Sequence, residues 1–251
     1  MNAKLLAATA LGLLLLLRPA AQAQDLGGAL DLGQLGQSLA LSAAINADAE
    51  RRAKEMGIRL DHSKAGSQTA TTGAGAARLR YTATPALRRQ TVDNLARRLQ
   101  ARSPAQAQAL RTSFGPGGPA DYARLYTAGL PGSGFQDNDA ASSLASFLEV
   151  AYVVVNDLRD TKALTPAVDQ GLRQQVAGLL SQNAAAKSPA QLAQLGEEMK
   201  LQTVVLMAGW QESLKSGQAA AFRGNIAQSF RSQFGLDLTQ VRLTENGFVP
   251  K

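Results

Sequence analysis

Cysteine is absent from all 251 residues, so this chain can form no disulfide, thiolate metal site or thiol nucleophile. Its stability must come from packing. Histidine occurs once, at His62, which excludes a histidine metal cluster and deprives a serine nucleophile of its usual base elsewhere in the chain. Aromatic residues reach only 5% while alanine and leucine abound, a mixture that favours helices over sheet. No HExxH pattern, EF-hand loop or glycine-rich loop followed by Lys-Ser/Thr is present. After Leu17 no apolar run reaches the roughly 20 residues that a membrane-spanning helix requires.

What is present begins with a targeting pattern. Lys4 supplies a positive start, residues 5–17 an unbroken apolar core, and Ala21-Gln22-Ala23 a small-x-small cleavage site. Residues 1–23 thus read as a signal peptide, with a periplasmic or secreted mature chain starting near Gln24. Residues 24–77 read as a flexible leader that ends in a Gly/Ala/Thr-rich linker over 65–77. The helical domain is expected over 78–251.

Within that domain a hydroxyl residue precedes proline four times at the start of an apolar-periodic run: Thr84-Pro85, Ser103-Pro104, Thr165-Pro166 and Ser188-Pro189. A hydroxyl at the N-cap accepts an orphan backbone N–H, and proline at the first helical position loses no needed donor. Between the second and third pairs lies the most apolar stretch, residues 138–157. There Leu144, Phe147, Leu148, Ala151, Val154 and Val155 recur at helical spacing, and Ser142, Ser143, Ser146 and Glu149 interrupt the run. The longest periodic run follows the fourth pair, with Leu192, Leu195, Met199, Thr203, Leu206, Trp210 and Leu214 on one face. Gly235 should end the last helix, and Asn246-Gly247 should form a turn in the tail. The expected fold is mostly α, a single bundle of five to seven helices with a short C-terminal extended element.

Three stretches carry a resemblance: LRYTATPALRR, GFQDNDAASSLASFLEVAYVVVND and LDLTQVRLTENGF. Together they resemble a family of exported bacterial proteins classified only as a domain of unknown function. The resemblance implies a proline-bearing extended segment before a helix, an asparagine turn that opens a long apolar helix, and an LT-x-x-GF ending. Leu243, Thr244, Gly247 and Phe248 match that ending. The resemblance implies no reaction and no site residue.

No catalytic, metal or cofactor-binding residue is assigned from the sequence. Asp137 and Asp139 suit a helix N-terminus, and that role accounts for them. Glu149, within the central helix, reads as a solvated or ion-paired glutamate. As the alternative it is one carboxylate of a cell-wall hydrolase, which would need a second one about 5–10 Å away in a cleft. Glu197 and Glu198 are adjacent, about 100° apart on a helix, and cannot flank one bond together.

Charge is more informative. Residues 24–77 hold 5 basic and 6 acidic side chains, residues 78–136 hold 9 and 2, and residues 137–251 hold 10 and 11. The positive excess is confined to one segment, and all nine of its basic residues are arginine. Arginine suits bidentate contact with carboxylate or phosphate. Arg88, Arg89, Arg97 and Arg98 are therefore the candidate contacts for an anionic partner, an envelope component or another envelope protein. They project on different sides of their helix, and no aromatic residues interleave them for base stacking, which disfavours nucleic acid.

Overall fold

The computed structural model of the protein describes residues 79–101, 103–181 and 188–251. The expected signal peptide, the leader and its linker, and His62 with them, lie outside the described residues. Seven helices occur among those described: α1 (Pro85–Gln100), α2 (Pro104–Phe114), α3 (Tyr122–Gly129), α4 (Ala140–Val155), α5 (Pro166–Ser181), α6 (Pro189–Lys215) and α7 (Ala219–Phe234). A hairpin of β1 (Val241–Thr244) and β2 (Gly247–Pro250) follows, so the fold is the mostly α arrangement that composition and periodicity predict. No helix among the described residues is long and apolar enough to cross a membrane.

All four Ser/Thr-Pro pairs open helices at the proline, but their caps differ. Thr84 Oγ1 accepts the Leu87 N–H at 3.1 Å and Thr165 Oγ1 that of Val168 at 3.4 Å. Ser103 and Ser188 make no such bond. At those two starts the preset φ of proline and its missing donor act alone. Asp121 and Asp139 cap α3 and α4, and Gly235 ends α7 in the left-handed conformation with φ 63°.

Helix α6 organises the packing. Its 27 residues span about 40 Å at 1.5 Å each. On one side Leu195, Met199 and Leu206 join Phe147 and Leu148 of α4, Leu172 and Val176 of α5, and Ile226 and Phe230 of α7. On the other, Leu201 and Val205 join Val92, Leu95 and Leu99 of α1, Leu110 of α2 and Tyr122 of α3. The bundle therefore has two apolar clusters with one shared helix between them.

The serines that break the apolar run of α4 are buried with the rest of its first half. Small side chains admit close neighbours, and each hydroxyl finds a partner. Ser142 Oγ accepts the Gln136 N–H at 3.0 Å, Ser143 Oγ donates to Asp139 O at 3.1 Å, and Ser146 Oγ meets the Tyr126 hydroxyl at 3.0 Å.

The hairpin pairs Val241 with Pro250 through Thr244 with Gly247. Its loop residues are Glu245 and Asn246, one position earlier than the sequence predicts, and Gly247 closes the turn with φ 81°. Thr244 draws the turn back, because its Oγ1 accepts the Asn246 N–H at 3.2 Å and donates to Gly247 O at 3.1 Å. Gln175 of α5 holds β2: its Nε2 donates to Phe248 O at 3.0 Å and its Oε1 accepts the Phe248 N–H at 2.9 Å.

The turn also presses on α5, where a Cβ on Gly171 would stand 1.9 Å from Glu245 O. Gly171→Ala must displace backbone, which should lower stability by about 1–3 kcal/mol. The Phe248 amide should lose hydrogen-exchange protection in the same variant. Wild-type protection there would show that the hairpin is held elsewhere.

Candidate functional site

Polar side chains concentrate where the chain enters the domain. Residues 79–81 run extended beside the turn before α4, with the Tyr81 N–H donating to Asn138 O and the Ala140 N–H to Leu79 O, both at 2.9 Å. That pairing lays the Tyr81 ring across α6 at Gly196, where a Cβ would stand only 2.2 Å from it. The absence of a side chain at Gly196 makes the slot for this ring.

Beneath the ring, Glu197 and Lys200 of α6 are fully buried. Lys200 Nζ lies 2.8 Å from Glu197 Oε1, 2.6 Å from Asp137 Oδ1 and 2.8 Å from Asn138 Oδ1. Its three protons are all used. The ammonium also sits 5.2 Å and 5.6 Å from the ring centroids of Tyr81 and Tyr126. Glu197 Oε1 further accepts the Tyr81 hydroxyl at 2.8 Å, and Oε2 accepts that of Tyr122 at 2.6 Å. Arg88 Nε of α1 approaches Oε2 at 3.6 Å. Two cations thus face two carboxylates, so burial leaves no net charge in the group.

Burial, and then the Glu197 charge, push the Tyr81 and Tyr122 phenols far above the ordinary tyrosine range. Burial does the same at Tyr126. All three stay protonated and donate. Asn138 takes the left-handed conformation with φ 53°, which asparagine tolerates, and accepts from Lys200 while there. Through these contacts the group fixes five segments: residues 79–81, α1, α3, the turn before α4, and α6.

A second ion pair adjoins it. Arg173 of α5 grips the fully buried Asp139, Nε to Oδ1 at 3.0 Å and Nη2 to Oδ2 at 2.7 Å. Asp139 still caps α4 through the Ser142 N–H at 2.7 Å. The capping role predicted for Asp137 and Asp139 therefore covers part of what they do. Asp139 also docks α5, and Asp137 neutralises Lys200.

Glu149 departs furthest from its sequence reading. Its carboxyl lies beside that of Asp169 on α5, itself buried, rather than beside a cation. Burial, followed by the charge of Asp169, raises the Glu149 pKa well above the ordinary carboxylate value of 4.5, so it is held as the acid. The physical reason is position, because Glu149 has Asp169 of α5 as its neighbour. Two carboxyls in contact do not straddle a substrate bond in the way a glycosidic hydrolase needs. Among the described residues no group of three or more His, Cys, Asp or Glu is placed to hold a metal ion.

The four candidate arginines do not share one surface. Arg88 turns toward Glu197 with its side chain 31% exposed. Arg89 and Arg97 are exposed on the outer side of α1, where Arg97 Nη2 donates to Asn94 Oδ1. Arg98 is half-buried on another flank. Asp93, one turn from both Arg89 and Arg97, accepts from Arg111 of α2 at 3.3 Å, and Arg111 Nη1 donates to Gln100 Oε1 at 3.0 Å. The sequence reading missed Lys200 and Tyr81. The signal available was a lysine three residues after Glu197, within the longest apolar-periodic run.

Residues 2–251 match the model of a family of unknown function, DUF6683. The chain belongs to DUF6683. No curated protein and no solved structure matches it. The DUF6683 match spans nearly the whole chain, so the hairpin and the extended residues 79–81 lie inside the family unit.

Proposed function

We propose that this protein is an exported, non-enzymatic binding module that meets an anionic envelope component through arginines on α1 and α2. The observation that carries the reading is how charge is disposed on that surface. Arg89 and Arg97 are exposed two turns apart on α1, and the one acid between them, Asp93, is already shared with Arg111. The other acid of the segment, Asp121, is occupied by the backbone N–H groups at the start of α3. Among the described residues Asp93 is thus the one acid beside Arg89, Arg97 and Arg111, and its contact goes to Arg111, which leaves the positive charge of the surface in excess. Arg88 contributes to the fold through Glu197 instead. Export rests on the targeting pattern of residues 1–23.

The test is co-sedimentation of the mature chain with vesicles of anionic lipid, at low and high salt. Each arginine near such a surface contributes about 1 kcal/mol, so the triple variant Arg89→Gln, Arg97→Gln, Arg111→Gln should bind roughly 100-fold more weakly. Retention equal to wild type at every salt concentration would remove the lipid surface as the partner. Pull-down from an envelope fraction, with the same variant as control, then addresses another envelope protein. A mature N-terminus near Gln24 in that fraction supports export, and an intact Met1 in the cytosol refutes it.

A further inference from the structure

The Glu149–Asp169 contact plays no part in the binding surface, yet it joins two core helices through groups that titrate. Asp169 Oδ2 accepts the Gly134 N–H at 2.9 Å, which ties the loop before α4 to α5. Asp169 Oδ1 and Glu149 Oε2 are shut from solvent and have no hydrogen-bond donor among the described residues. Two buried acceptors facing each other repel unless a proton lies between them. We propose that this pair is a protonation-dependent clasp, which holds α4, α5 and the Gly134 loop together while one proton is shared and loosens them when that proton leaves.

Among the described residues, the cations around Glu149 are committed elsewhere and offer no substitute for the proton. On α5 the nearest cation, Arg173, is one turn from Asp169 and gripped by Asp139. Helix α6 commits Lys200 to Asp137 and Glu197. Helix α7 brings Arg223 to Asp157, past the end of α4, at 2.9 Å. The hairpin meets α5 at Gly171 through the backbone carbonyl of Glu245 rather than through a charge. Among the described residues Asp169 is accordingly the charge that acts on Glu149.

The direction with pH follows. A carboxyl held as the acid in the folded chain and free to ionise in the unfolded chain favours folding most below about pH 4.5. That contribution falls as pH rises, until the folded carboxyl has ionised too. One proton changes the folding equilibrium constant by at most about tenfold per pH unit.

Thermal unfolding from about pH 5 to about pH 9 tests the clasp on wild type, Glu149→Gln and Asp169→Asn. Either amide can donate to the remaining carboxyl oxygen, so both variants should lose much of the decline of midpoint with pH seen in wild type. Infrared difference spectra give a readout independent of variant stability: wild type at neutral pH should show one protonated carboxyl stretch that disappears on alkaline titration. The Gly134 amide should lose exchange protection in step with it, after correction for the intrinsic pH dependence of exchange. Parallel pH profiles in wild type and both variants, or no protonated carboxyl at neutral pH, would overturn the proposal.

Discussion

Lys200→Met is expected to lower the unfolding free energy by about 3–5 kcal/mol, because it strands buried charge without its counter-ion. Glu197 is fully buried and would keep only Arg88, at 3.6 Å, as a cation. Asp137 is less exposed to this loss, since its side chain is 31% accessible and water can replace the ammonium. The double variant Lys200→Met, Glu197→Leu removes both members and should recover part of the loss, as buried ion pairs commonly tolerate apolar replacement. Denaturant midpoints of wild type, Lys200→Met, Glu197→Leu and the double variant decide the matter. A single-variant loss below about 1 kcal/mol would mean that the pair behaves as a surface salt bridge. Additive losses would mean that the two residues act separately.

Phe147→Ala should cost about 3–5 kcal/mol, and Leu206→Ala about 2–5 kcal/mol, by lost burial and the cavity left behind. The Phe147 ring lies 5.7 Å from that of Phe230, which in turn stacks on Phe234 at 4.9 Å. The truncation therefore strips contacts from α7 as well as α4. Leu206 acts from α6 in the same apolar cluster. Calorimetric midpoints unchanged in both variants would refute this placing of the core.

How much of this was legible in advance depended on the kind of signal. Helix starts at Pro85, Pro104, Pro166 and Pro189 could be read because proline and a preceding hydroxyl act locally. The apolar stripes of α4 and α6 could be read because period alone reports a face. Two-sided burial of α6 could not: Leu201, Gln202 and Val205 are off the stripe, and only the arrival of α1 and α3 covers them. The polar contacts were the least legible. Tyr81 meets Glu197 across 116 residues and Asp139 meets Arg173 across 34, so no local spacing announces either. Glu149 looked like a surface glutamate because its partner, Asp169, sits on the next helix. The arginine excess was visible as composition, but composition could not say that Arg88 belongs to the interior.

The amide of Gln175 does for β2 what a neighbouring strand would. It answers both the N–H and the C=O of Phe248, and Pro250 further along has no N–H to offer. On that flank a foreign chain would find no unclaimed donor with which to begin a ladder. A hairpin of four-residue strands can thus persist at the end of a helical protein without inviting the sheet to grow outward into an aggregate.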